Sequence, residues 1–345
     1  MNARGLEDKM VLSAEARVET SQAHAAAVDG FMESGRANVV GLAEGIKWKK
    51  GQPTGEPALL VLVTQKLEKD QLAERDLVPA KLADMQTDVL TVGAIFAGCG
   101  PVTLALAGRM RPARGGYSVG HKNITAGTIA TAVYDLLPGG KVSPPKHGAG
   151  IPSKFYLLSN NHVLADSNAG APGDAVLQPG PYDGGTDPAD RIASLSRFIP
   201  VTFEPPTALS RHHNLVDCAL AEASFSDIDR QIFWNGPVRG WRRKADVQVG
   251  LAVKKTGRTT HFTVGRITGV NGTIDVNYSG DRTARFKEQI ILTPMSAGGD
   301  SGSLVLTLDD VAVGLLFAGS AQSTIANQIE NVRSLLKVEV AEMIL

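Results

Sequence analysis

The residues best suited to covalent chemistry lie in Gly299-Asp300-Ser301-Gly302-Ser303-Leu304-Val305. A serine among glycines, followed at once by apolar residues, reads as a tight loop running into a buried strand. Glycines at 298, 299 and 302 leave the backbone free for geometry that a Cβ would forbid. Consecutive backbone N–H groups can then converge beside a hydroxyl. Gly/Ser turns are also ordinary hairpin material, so the reading depends on a base and a third group elsewhere in the chain.

Seven histidines are present. His24 falls in a leading helical stretch, His147 in a Pro/Gly-rich loop, and His212 and His213 in a loop pair. His121 and His261 border strands. His162 differs, because it follows the bulky strand-like run FYLLSNN (155–161) and begins Val163-Leu164-Ala165. That places an imidazole at the mouth of a core strand, although a structural histidine would also fit there. Asp217 interrupts the apolar run NLVDCALAEA (214–223). An ionised carboxylate in such a run is costly unless partners meet it. An imidazole N–H is one such partner, and backbone donors are the structural alternative. The chain order His162, Asp217, Ser301 is that of the chymotrypsin-like solution. No histidine follows Ser301, which excludes the α/β-hydrolase order, and the α/β layout of subtilisin is absent.

These three residues need a β framework to hold them, and the pattern supplies one. An Ala/Glu/Met-rich helix is expected over 10–35, strands over 38–47 and 58–65 around a hairpin turn, a helix over 69–76, and a strand over 88–96. Together they form a small α/β domain within 1–108. The arginine-rich stretch 109–116 reads as a solvated linker, with proteolytic nicking as the alternative. Short apolar segments then recur from 117 to 318 between Gly, Pro and Asp clusters, including 215–220, 262–270, 273–278, 289–293, 303–307 and 311–318. This is a mainly β domain over 117–345 made of two small closed sheets. Thr324 to Leu336 has apolar residues at helical spacing and is expected to pack back as a helix.

Composition narrows the class further. Lysine plus arginine equals aspartate plus glutamate at 35 each, which gives no pointer to nucleic acid or an anionic membrane. The two cysteines, Cys99 and Cys218, make no disulfide framework, and Cys218 reads as a buried thiol. The acidic N-terminal residues lack a secretory pattern, so the expectation is cytoplasmic. The charge-free run from Val89 to Gly108 is broken by glycines and Pro101, and reads as a strand and connector rather than a bilayer span.

LSNNHVLA (158–165), NLVDCALA (214–221), KKTGRTTHFTVGRITGV (254–270) and SAGGDSGSLV (296–305) together resemble the trypsin-like serine peptidases, and in particular the bacterial branch similar to the plant NARROW LEAF 1 protein. The resemblance is strong over roughly 115–337 and, for that branch, extends through the N-terminal domain. His261 stands where a glycine commonly follows GRTT. The resemblance implies a chymotrypsin-like double six-stranded β-barrel preceded by a small α/β domain. It implies endopeptidase activity with His162, Asp217 and Ser301 as triad and the Gly299 and Ser301 N–H groups as oxyanion hole. It places Met295 on the floor of the specificity pocket and Phe317, Ala318 and Gly319 on its wall. An uncharged floor implies an apolar substrate side chain.

The remaining readings are simpler. Asp300 is expected in a local salt bridge, and Lys254 and Lys255 in a solvated patch on a strand edge. Asp183, Asp187 and Asp190 lack calcium-loop spacing, and His212, His213 and Asp217 lack a ligand to complete a zinc site. No cofactor or metal is expected. Substrate partners are proteins or peptides, and the N-terminal domain suggests a homo-oligomer or a regulatory protein. The competing functions are a catalytically silent or partner-regulated scaffold, an esterase using the same acyl chemistry, and a binding module.

Overall fold

The computed structural model describes residues 8–34, 36, 38–49, 52–67, 72–93, 95, 106–136 and 154–340. Cys99, His147, the centre of the charge-free run and the first residues of the helix expected over 69–76 lie outside them.

Helix α1 spans Ala14–Phe31. Ser13 caps it, its Oγ accepting the Ala16 N–H at 3.1 Å. Ala23, Ala27, Val28 and Phe31 recur on one face and pack on Leu42, Leu59 and Val61. These belong to β1, Val39–Lys49, and β2, Gln52–Val63, an antiparallel pair. Every residue from Ala58 to Val63 is buried. Alternate side chains meet α1 on one face, and on the other a cluster holding Phe203, Phe286 and Phe317. The sheet continues through β3, Lys81–Leu82, and β4, Met85–Thr91, the latter parallel to β2. In its described part, the helix expected over 69–76 is a single 3-10 turn at Glu74–Asp76. The chain is already extended at Leu77, ahead of Pro79, which disfavours helix in the residue before it.

The stretch expected as a linker contains β5, Ala113–Gly115, with Ala113 and Gly115 buried. A curled sheet follows from β6 (Ser118–His121), β7 (Gly127–Thr128), β8 (Thr131–Asp135), β9 (Phe155–Ser159), β10 (Ala175–Leu177), β11 (Arg191–Phe198) and β12 (Ala219–Ala223). Helix α2, Asn161–Leu164, sits directly after β9. Strands β13 (Ile228–Ile232), β14 (Gly236–Pro237) and β15 (Gly240–Trp241) lead into the second half, and β5 pairs with β13.

There β16 (Ala252–Gly257), β17 (His261–Tyr278), β18 (Arg282–Leu292), β19 (Leu304–Thr307), β20 (Val311–Gly319) and β21 (Thr324–Gln328) pair in the order β16-β19-β20-β21-β18-β17. A β16–β17 pairing curls this sheet back on itself. Helix α3, Ile329–Leu336, and β22, Val338–Glu339, close the described chain, and β22 joins the first sheet beside β8. The molecule is mainly β with a smaller mixed region, and β1 pairs with β17, so the N-terminal sheet is continuous with the second curled sheet. One core cluster spans the two halves, bringing Leu158, Val216 and Leu220 against Leu304, Leu306 and Leu315.

Three expectations are corrected. Segments 262–270 and 273–278 form one strand, because register shifts around Gly269 and Gly272 let β17 exchange partners without ending. Thr324–Gln328 is a strand rather than helix, every residue of it buried between β18 and β20. Asp217 precedes its strand, which begins at Ala219, because side chains from other elements take the backbone groups around it.

Candidate active site

Those side chains build the site. Asn160 Nδ2 donates to the Asp217 carbonyl at 2.7 Å, and the Asp217 N–H donates to Asn327 Oδ1 at 3.0 Å. Asn327 in turn donates to Gln289 Oε1 at 2.7 Å, while Gln289 Nε2 donates to the Leu215 carbonyl at 2.9 Å. Three asparagine and glutamine side chains thus fix the backbone of a fully buried acid.

The Asp217 carboxylate meets His162. Nδ1 of the imidazole lies 2.7 Å from Oδ2, and the His162 backbone N–H donates to Oδ1 at 3.2 Å. Tyr278 also donates its hydroxyl to Oδ2, at 2.6 Å. Burial by itself would raise the Asp217 pKa; the adjoining imidazole and the hydrogen bonds from His162 and Tyr278 outweigh it and hold the carboxyl below its usual range. The acid is therefore ionised at neutral pH. Bonding at Nδ1 fixes the ring tautomer, and Nε2 has no hydrogen-bond partner among the described residues.

The Ser301 loop is built locally. The Asp300 N–H donates to the Ala297 carbonyl at 3.0 Å and the Ser303 N–H to the Asp300 carbonyl at 2.9 Å. Gly299 and Gly302 have φ of +95° and +97°. A Cβ on Gly302 would collide with the Thr128 carbonyl and the Ser159 hydroxyl. Thr128 clasps the loop twice, donating its N–H to the Ser301 carbonyl at 2.7 Å and its hydroxyl to the Gly299 carbonyl at 2.8 Å. Ser159, three residues before His162, donates to the Thr128 carbonyl at 2.7 Å. The loop therefore rests against the strand that leads into His162. Ser301 Oγ donates to the Phe317 carbonyl at 3.4 Å. His162 and Asp217 are joined, while Ser301 is held on the adjoining loop without a hydrogen bond to His162.

Asp300 points away from the chemistry. Its carboxylate accepts the Thr259 and Thr260 N–H groups at 2.9 and 3.1 Å and lies 3.2 Å from Lys255 Nζ. The solvated patch expected at Lys254 and Lys255 is corrected by this pair, because Lys255 is fully buried. Burial lowers the Lys255 pKa and Asp300 opposes that shift. Lys254 pairs with Asp310 at 2.8 Å.

A cleft of about 230 Å³ opens beside Ser301, lined by Ser296 to Gly298 on one side and Ala318 to Ala321 on the other. Ala318 and Gly319 of the expected pocket line it. Met295 and Phe317 do not, since both are buried in apolar clusters behind it. Ser296, whose Oγ lies 2.7 Å from Thr324 Oγ1, lines the cleft beside Met295, which the resemblance placed on the pocket floor.

The other candidate ligands have partners of their own. Asp183 pairs with the buried Arg258 and with Ser118, and Asp190 accepts the Thr186 N–H at 3.0 Å. His212 bonds the Thr207 carbonyl at 2.9 Å and accepts the Arg285 N–H at 3.2 Å. Among the described residues no three histidine, cysteine, aspartate or glutamate side chains are grouped as metal ligands, and no helix is long and apolar enough to cross a membrane. Tyr278, Asn327, Gln289 and Lys255 were not legible as site residues, because no local spacing marks them.

No family model and no curated protein matches the chain. Solved bacterial proteases overlap with it. Thermobifida fusca Protease A does so with a TM-score of 0.44 at 16% identity, over 66% of this chain and 97% of that one. A glutamic acid specific serine protease, described as using a histidine triad in substrate binding, gives 0.43 at 20%, over 66% and 98%. Cellulomonas bogoriensis chymotrypsin gives 0.42 at 17%, over 67% and 98%. None of these overlaps singles out the NARROW LEAF 1 branch. The cytoplasmic expectation is withdrawn, because the protease structures that overlap with the chain give it no support. At these identities and overlaps, any functional reading rests on the geometry of the site.

Proposed function

We propose that the protein is a serine endopeptidase working through His162, Asp217 and Ser301. The observation that carries this reading is the buried Asp217–His162 pair, with Nε2 unpartnered and a glycine-shaped serine loop packed against the strand preceding His162. In this reading Ser301 rotates away from the Phe317 carbonyl, and His162 Nε2 takes its proton as Oγ bonds to the substrate carbonyl carbon. The carbonyl electron pair moves onto oxygen and is met by the Gly299 and Ser301 N–H groups. Collapse expels the amine, which receives the proton from His162. Water then repeats the sequence on the acyl-enzyme and releases the acid. Asp217 orients the imidazole and stabilises its charged form throughout.

The two curled sheets fit a pair of six-stranded barrels with the site between them, preceded by the α/β unit of residues 1–108. The finer likeness to the NARROW LEAF 1 branch rests on that unit. The substrate is a protein or peptide, and the uncharged cleft of small residues favours an uncharged side chain before the scissile bond. A homo-oligomer or regulatory partner docking through the N-terminal unit completes the proposal.

One observation favours the second reading, a silent or partner-regulated scaffold: Ser301 Oγ is bonded to Phe317 rather than to His162. A fluorophosphonate probe separates the two. Labelling of the full chain that disappears in Ser301→Ala supports the peptidase, and equal absence of labelling in both proteins supports the scaffold.

A further inference from the structure

Tyr278 closes β17, and its hydroxyl reaches the Asp217 carboxylate. Its hydroxyl and the His162 imidazole N–H share one oxygen, Asp217 Oδ2. Its ring stands edge-on to the imidazole at 6.0 Å and 80°. Packing fixes that ring: Phe203 lies edge-on at 5.1 Å, Phe286 stacks at 6.3 Å, and the neighbouring Asn277 N–H donates to the Ile95 carbonyl at 3.0 Å. A hydroxyl so held has no freedom to seek another acceptor. Among the described residues no full cation contacts the carboxylate: the groups facing it are His162 from α2, Tyr278 from β17 and the adjacent Cys218 thiol, with Arg282 of β18 acting on Tyr278.

We propose that Tyr278 is a positioning residue for catalysis, whose hydroxyl pins Asp217 Oδ2 so that the carboxylate holds His162 in one orientation and one tautomer. Without this donor only the two His162 bonds hold the carboxylate, and Oδ2 becomes a stronger acceptor for the imidazole N–H. The inference rests on the peptidase reading for its kinetic consequence but not for its structural one.

Tyr278→Phe in the full chain removes only the hydroxyl. Its kcat on a peptide substrate is expected to fall about tenfold with KM unchanged. The acid limb of the kcat/KM profile should move up, because Asp217 becomes a stronger acceptor for the imidazole N–H. Independently of activity, the His162 imidazole N–H proton should move downfield in spectra of histidine-labelled protein. Phe203→Leu, which loosens the same aromatic cluster but keeps the hydroxyl, should leave that resonance in place. Should Tyr278→Phe not fold, 3,5-difluorotyrosine at 278 keeps the ring, strengthens the donor and should move the resonance upfield. An unchanged resonance in Tyr278→Phe, or in the fluorinated protein, overturns the proposal. A moved resonance in a protein without Ser301-dependent hydrolysis supports the clasp and sinks the peptidase reading alone.

Discussion

Asp217 and Asp300 are both fully buried carboxylates, one beside the proposed base and one beside the proposed nucleophile, and their surroundings differ. Asp300 sits with a buried ammonium, three backbone N–H groups and the Thr260 hydroxyl. Asp217 has neutral donors and an imidazole that becomes cationic only if it takes a proton. A carboxylate already matched by a cation has little more to give a transition state. One facing a neutral imidazole gains its counter-charge at the moment that charge develops. Asp300 holds the loop, and Asp217 is poised for the chemistry.

Four expectations test this division. Asp217→Asn should lower kcat by about 10⁴-fold while the melting curve stays close to wild type, since the amide keeps the shape but not the tautomer control; steady-state kinetics beside calorimetry reads both. Asp300→Asn should do the reverse, leaving Lys255 buried without its counter-charge at a cost of about 3–5 kcal/mol in urea unfolding.

His24 provides a third case, a buried titratable group with no charged partner. Desolvation pulls its pKa from 6.5 down to about 4, against the opposing hydrogen bond to Leu42. Because the folded value is depressed, its contribution is fully present above pH 6.5 and is lost as pH falls toward 4, by about 3 kcal/mol at most. Hydrogen exchange of α1 should accelerate across that window, and His24→Gln should flatten the dependence. The smallest effect is expected at the cleft: Ala318→Val should reduce kcat/KM about tenfold for the larger uncharged side chains and spare alanine, as read by peptide-library cleavage.

The parts of the site legible in the sequence are those whose cause is local. Gly299 and Gly302 announce a loop because their positive φ is a property of their own backbone. Asp217 stood out because an acid in an apolar run demands a partner. Tyr278, Asn327 and Lys255 gave no such signal, since their partners come from different strands or loops and ordinary strand residues flank them. Met295 and Ser296 follow the end of β18, and nothing in their local spacing says which of the two lines the cleft. The long β17 likewise read as two strands, since Gly269 and Gly272 mark bulges as readily as ends.

Formation of an acyl intermediate on Ser301, aided by the Asp217–His162 pair, is open to rapid mixing with a chromogenic peptide ester bearing an uncharged side chain. A burst of product matching the enzyme concentration is expected, lost in Ser301→Ala and slowed by orders of magnitude in Asp217→Asn. Burst-free turnover that is identical in all three proteins would rule out the acyl intermediate.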